Sequence, residues 1–192
     1  MDDLNRAHKR LMEATGLVNQ KKSRSRGASQ SMEPLKKLAA GWERFGMWRE
    51  SCGEWGQAVG AYQEAITLHS KIHQATKDLV FLKAAAQLSL GNARIEKQQN
   101  QPQSVLQSAT AAASRFQTLE QSGMKFKLDF YLDWAESALL LAELRAPLGK
   151  AGIPWPEIAS RALNMPREKP GILTDTAKAK LSAMEQRLAG LR

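Results

Sequence analysis

One cysteine, two tyrosines and no long apolar run in 192 residues leave several protein classes without their material. Cys52 alone can form neither an internal disulfide nor a multi-cysteine metal site, so a reducing, cytoplasmic compartment is the expectation. The longest apolar run, 138–142 (ALLLA), falls far short of the ~18–20 residues that span a bilayer. The opening Met1-Asp2-Asp3 is acidic and leads into no apolar stretch, which argues against a secretory signal and a transit peptide. Sustained strand-type alternation is missing and β-branched residues are scarce, which counts against a sheet. A phosphate-cradling loop is missing too. The segment 149–154 (GKAGIP) lacks the Gly-Lys-Ser/Thr ending and does not follow a strand.

What is present is globular material. With 43% hydrophobic and 24% charged residues, the chain suits one domain with a real core, or one domain plus an arm. The net charge of +9 is unevenly spread. Residues 1–37 carry nine Lys/Arg against four Asp/Glu, and residues 145–192 carry the same numbers, so each end is +5. The middle has ten against eleven, for −1. Basic ends favour an acidic partner, whether protein, nucleic acid or lipid headgroup; solubility alone is the plainer account.

Along the chain, residues 4–19 read as a short amphipathic helix, with Leu4, Leu11 and Val18 a heptad apart. Residues 21–31 (KKSRSRGASQS) read as a flexible basic arm carrying Lys21, Lys22, Arg24 and Arg26. From Met32 onward the pattern is helical, with breaks near Gly53, at 98–103, near Ser122-Gly123, across 146–156 and at 165–171. Pro156 suits a first helical turn. Thr174 suits an N-cap for a last helix whose stripe is Ala177, Leu181, Met184, Leu188 and Leu191. The expected domains are therefore 1–31, a helix and basic arm, and 32–192, a helical domain.

The stretch from Gly53 to Leu68 (GEWGQAVGAYQEAITL) shows how the helices meet. Ala58, Tyr62 and Ala65 form one helical stripe that alternates small and aromatic, and upstream Trp42, Phe45 and Gly46 share another helix. Gly46 and Ala58 let two helices approach, Trp42 and Tyr62 fill the wider gaps, and Ala65 admits a further neighbour. With Ala39 as the first position, Trp42, Gly46, Ala58, Tyr62 and Ala65 all fall on signature positions of the tetratricopeptide repeat (TPR), which the segment resembles. Phe45 replaces the usual Leu, Arg49 stands where Tyr is usual, and Ser70 stands where Pro closes the repeat.

A single hairpin leaves an apolar face uncovered, so further copies are expected. Leu90 and Gly91 stand 45 residues after Phe45 and Gly46, a longer period than the family's. Repeats are expected over about 39–76, 84–119 and 130–166, with a capping helix at 174–191; the third copy is degenerate. The resemblance implies an all-α fold of antiparallel hairpins stacked as a short right-handed solenoid, with a generic helical bundle as the other possibility. It also implies a concave groove that binds a peptide or helix. By position, Glu43, Met47 and Glu50 from the first repeat and Leu88, Asn92 and Ile95 from the second would line it. Of the family's carboxylate-gripping Lys and Asn residues only Asn92 matches, so a carboxylate clamp is not expected.

Chemistry is thinly represented. His69 and His73 are four apart, but Ser70 replaces the zincin Glu and no third ligand is near, so an exposed helix face is the expectation and no metal is assigned. Cys52 has no matched base and reads as a small, partly buried residue. Asp129, Asp133 and Glu136 read as a solvated acidic face. The run 124–131 (MKFKLDFY) has the basic-aromatic look of a nucleic-acid contact, but its aromatics suit the buried start of a helix. The expectation is a non-enzymatic, cofactor-free adaptor, assembly factor or chaperone-like subunit with a protein partner. The alternative is a nucleic-acid-associated factor using its basic ends, and self-association through aromatics such as Trp48 is a third reading.

Overall fold

A computed structural model of the protein describes residues 2–24, 32–123, 126–148, 155–167 and 174–191, all helical apart from turns. The helices are α1 (Asp2–Arg24), α2 (Glu33–Ser51), α3 (Trp55–Thr76), α4 (Leu79–Gln98), α5 (Pro102–Gln121), α6 (Leu128–Leu148), α7 (Trp155–Arg167) and α8 (Asp175–Ala189). The chain forms two compact units, Met1–Leu88 and Ser89–Arg192, and the division falls within α4.

In the first unit, α2 and α3 form an antiparallel hairpin around a tight turn at Cys52–Gly53. Gly53 takes φ +74°, a left-handed conformation that glycine adopts without a Cβ clash. The small-against-large reading of the interface holds. A Cβ on Gly46 would stand 2.5 Å from Tyr62 Cε1, so the ring lies where any other residue's side chain would begin. Ala58 and Ala65 are fully buried, and Trp42, Phe45 and Tyr62 are nearly so. Arg49, the departure from the signature, is also buried. Its guanidinium pairs with Glu54 across the turn and lies 4.9 Å from the Phe45 ring centroid, so charge and cation–π contact replace an aromatic side chain.

Helix α1 runs antiparallel to α2. His8 stacks on Phe45 at 5.4 Å, Leu11 faces Gly41, and Trp42 Nε1 donates to Thr15 Oγ1 at 3.2 Å. It does not stop at residue 19: the helix continues through Lys21, Lys22 and Arg24, whose side chains lie outside the described set, as does Arg26 altogether. Lys, Arg and Gln are good helix formers, so a polar, basic composition does not by itself break a helix.

The second unit repeats the hairpin plan. Antiparallel pairing of α4 with α5 brings Arg115 Nη1 within 2.9 Å of Ser89 Oγ, and α5 meets α6 through Phe116 and Phe130, 5.3 Å between centroids. Same-direction neighbours are offset by a nearly constant count. Arg94 on α4 reaches Glu136 on α6, 42 residues on; Lys97 reaches Glu143, 46 on; Glu120 on α5 meets Arg161, 41 on; Glu143 meets Arg187 on α8, 44 on. In the first unit Lys36 on α2 lies over Phe81 on α4, 45 residues along. The result is a helical-hairpin repeat with a period above 40. Helices of 19 to 22 residues from α2 to α6 do not fit a 34-residue unit. By this offset α8 takes the place of a further first helix. Thr174 caps it by accepting from the Ala177 N–H at 3.2 Å, and its Ala177–Leu181–Met184–Leu188 stripe is buried.

One break escaped the sequence reading. Lys77 adopts φ 59° between α3 and α4, and α4 begins at Leu79 rather than near Ala84. The available signal was Asp78, whose carboxylate accepts from the Val80 N–H at 2.9 Å as an N-cap would.

Candidate functional site

The residues expected to line a groove differ in exposure and partners. Met47 is 59% exposed. Glu50 accepts a 2.7 Å hydrogen bond from Tyr62 Oη, and Glu43 lies 3.5 Å from His69 Nε2, so both carboxylates are engaged within their own hairpin. Burial, reinforced by Glu50, pushes the Tyr62 phenol well above its ordinary value and keeps it a donor. Leu88, Asn92 and Ile95 are 9%, 1% and 1% exposed, which corrects the expectation that they face a partner. Helix α4 is engaged on more than one side, by α5 at Ser89 and by α6 at Arg94 and Lys97, and Asn92 and Ile95 lie in the interior. Leu90 is fully buried and Gly91 half-buried, in keeping with a structural role.

An open groove does exist, in the first unit between α1 and α3, with α2 as its floor. Its volume is about 500 Å³. Asn5, His8 and Met12 form the α1 wall, Gln57, Gly60 and Glu64 the α3 wall with Ala61 at its base, and Trp42 and Phe45 the floor. The three α1 residues follow i, i+3, i+7 spacing and the α3 residues do the same, so each wall is one helical stripe. Because α1 and α3 both run antiparallel to α2, they are two ridges in one direction with a trough between them. A Cβ on Gly60 would meet nothing within 4 Å, so the α3 wall is open at that point. The exposed large hydrophobics among the described residues are Met12, Leu17, Met47, Trp48 and Val80, all in the first unit. Trp48 adjoins the floor through Phe45, with ring centroids 6.3 Å apart. None of the α1 wall residues belongs to the Leu4, Leu11, Val18 stripe read from the sequence; the trough depends on how three helices assemble, which no local pattern encodes.

The remaining candidates resolve into structure. His69 is buried rather than on an exposed face, stacked on Phe81 at 5.9 Å; His73 Nδ1 lies 2.9 Å from the Asp78 carbonyl oxygen. Cys52 is exposed at the hairpin turn, not partly buried. Asp133 and Glu136 are half-buried and pair with Arg94 rather than forming a solvated face, while Asp129 is exposed. Phe126 is half-buried and stacks on Phe130 at 4.0 Å, and Phe130 is fully buried; Met124 and Lys125 lie outside the described residues. Among the described residues no group of three His, Cys, Asp or Glu is placed to hold a metal ion, and no helix is long and apolar enough to cross a membrane.

No protein-family model matches the chain, and no curated protein matches it. Among solved structures it is similar to the de novo designed helical repeat protein DHR64, at 20% identity and TM-score 0.44 over 99% of this chain and 94% of that one. It is also similar to the DHF79 filament, at 18% identity and TM-score 0.44 over 96% and 99%.

Proposed function

We propose that the protein is a non-enzymatic, cytoplasmic interaction module, an adaptor, assembly factor or chaperone-like subunit that seats a segment of a partner protein in the α1–α3 groove. In this reading the hairpins are TPR-like, stack as a short right-handed solenoid, and are closed by α8. The observation that carries it is the trough itself, with Trp42 and Phe45 in its floor and exposed Met12 on its wall, in a unit that also leaves Leu17, Met47, Trp48 and Val80 exposed. Large apolar side chains left in water near a concavity mark interaction surfaces. A trough walled by two helices suits a third helix or an extended apolar segment.

The second reading, a nucleic-acid-associated factor, is favoured by the four cations at Lys21, Lys22, Arg24 and Arg26 and by the basic C-terminal region. The groove does not add to it. Trp42 and Phe45 are almost wholly buried and His8 covers Phe45, so neither of these two rings offers a face for base stacking.

Affinity capture from native lysate separates the two. The wild-type chain and Gly60→Trp, which fills the groove from an open position, are compared with and without nuclease. A stoichiometric protein that survives nuclease and is lost with Gly60→Trp supports the groove reading. Recovery that collapses with nuclease and ignores Gly60→Trp moves function to the basic segments.

A further inference from the structure

Apart from the groove, the second unit buries a carboxyl that has no charged partner among the described residues. On α4, Ser89, Asn92 and Glu96 follow i, i+3, i+7 spacing and are 2%, 1% and 4% exposed, so they form one interior polar stripe. Helix α5 lies against it in one antiparallel register. Ser89 accepts from Arg115 Nη1 and Glu96 hydrogen-bonds with Ser108, two rungs seven residues apart on each helix. Between these rungs α5 presents Ala109, Ala112 and Ala113, all buried. Alanine side chains have no polar group to give, so the middle of the stripe must satisfy itself.

An anion there cannot do so. Asn92 Oδ1 and Glu96 Oε2 are both buried acceptors without a hydrogen-bond partner. Their residues are four apart on one helix face, where side chains are neighbours. Two oxygens that only accept cannot pair, and each then bears the full cost of losing water. One proton resolves both, because a carboxylic acid has an O–H to donate and a carboxamide oxygen can accept it. We propose that Glu96 is held as a neutral acid whose Oε2–H donates to Asn92 Oδ1, a proton latch that lets the alanine face of α5 close on α4.

The charges nearby are engaged elsewhere. Arg115 of α5 is at the Ser89 end, Asp133 and Glu136 of α6 hold Arg94, and Glu143 of α6 holds Lys97 and, from α8, Arg187. Burial pushes the Glu96 carboxyl above its ordinary value, Ser108 pulls it part of the way back, and no charged neighbour contributes. The stabilisation from this proton is therefore complete below the unfolded carboxyl range and is lost as pH rises through the folded value. Loss of the proton leaves an anion facing alanines, and water must enter between α4 and α5 to solvate it.

Infrared difference spectroscopy on the full-length chain tests the latch, because a protonated carboxyl has a carbonyl band that an ionised one lacks. At neutral pH the wild-type chain is expected to show such a band, lost in Glu96→Gln and shifted in Asn92→Ala as the acid loses its acceptor. As pH is raised, the wild-type chain is expected to lose the band. Over the same range its α5 amides should lose several-fold of the exchange protection that Glu96→Gln keeps. No band at neutral pH, or one that persists in Glu96→Gln, overturns the proposal, since Glu96 is then ionised. A band whose position ignores Asn92→Ala overturns the pairing. Equal loss of α5 protection in the wild-type chain and Glu96→Gln overturns the latch.

Discussion

The two units solve the same packing problem with different side chains. In Met1–Leu88 the hairpin is closed by aromatics set against glycine and alanine, Tyr62 on Gly46 and Trp42 beside Phe45. In Ser89–Arg192 the interior is mostly Ala and Leu, and the outer edges carry Arg94 with Asp133 and Glu136, and Lys97 and Arg187 on Glu143. Among the described residues, the exposed large hydrophobics all lie in the first unit. Bulky rings fill space in few, large steps and leave gaps at their margins, whereas alanine-rich faces mate closely and ion pairs line their edges. Among the described residues, then, the aromatic unit leaves large apolar side chains in water and the alanine-rich unit does not.

The sharpest break of that comparison is at Gly46. Gly46→Val places a branched Cβ inside the Tyr62 ring and is expected to destabilise the first unit by about 3 kcal/mol, the upper range for overpacking. Hydrogen exchange should show α2 and α3 amides losing protection while those of α5 and α6 keep theirs. Uniform loss across the chain would mean that the units do not differ in local stability. Ala58→Leu acts at the same interface from α3, where the side chain is fully buried, and is expected to cost roughly 1–3 kcal/mol. An unchanged melting temperature would show that Ala58 does not face the hairpin contact.

How much of this was legible in the sequence follows from the range of each interaction. Gly46, Ala58, Tyr62 and Ala65 lie within one hairpin, so their spacing carries the interface, and Thr174 with its Ala177–Leu188 stripe is equally local. The 45-residue return of Leu90 and Gly91 also announced a longer repeat, and the ion-pair offsets of 41 to 46 residues agree with it. What failed was accessibility. Asn92 and Ile95 stand where the resemblance to the repeat implied a groove, yet whether such a position is open depends on which helices lie against α4, and a sequence stripe records only that it faces something. The actual groove joins residues from three helices, Met12, Trp42 and Gly60, and no periodicity relates them.

Among the described residues the alanine-rich packing of the second unit leaves three buried polar atoms without a hydrogen-bond partner, Asn92 Oδ1, Glu96 Oε2 and Trp134 Nε1, and the carboxylate is the one that titrates. Glu96 is 4% exposed, and one carboxylate oxygen, Oε2, has no hydrogen-bond partner. Burial pushes its pKa above the ordinary value, and a hydrogen bond with Ser108 only partly opposes this. A carboxylate raised in the folded state costs stability once it is ionised, so the cost is present at neutral pH and disappears as pH falls below the unfolded value near 4.3. Glu96→Gln is therefore expected to stabilise by about 1 kcal/mol at pH 7 and to bring no gain in acid. Urea midpoints at the two pH values check this. A loss at pH 7 would show that the charge itself is needed where it lies.

Glu143 gives the opposite sign and the smallest effect. Burial alone would raise its carboxyl, but hydrogen bonds from Arg187 and Lys97 and their charges hold it below its ordinary value. Stability from a depressed carboxylate is present above the unfolded value and lost as pH falls through the folded one. Lys97 and Arg187 are partly exposed, so solvent screens both pairs, and the link between α4, α6 and α8 is worth about 0.5–1 kcal/mol. Glu143→Gln should cost that amount at pH 7, less in high salt, and almost nothing once the wild-type carboxylate is protonated. If the cost persists in acid, Glu143 contributes through packing. The edges of the second unit would then be held as the first unit is, by shape, and the contrast between the two would narrow to their interiors.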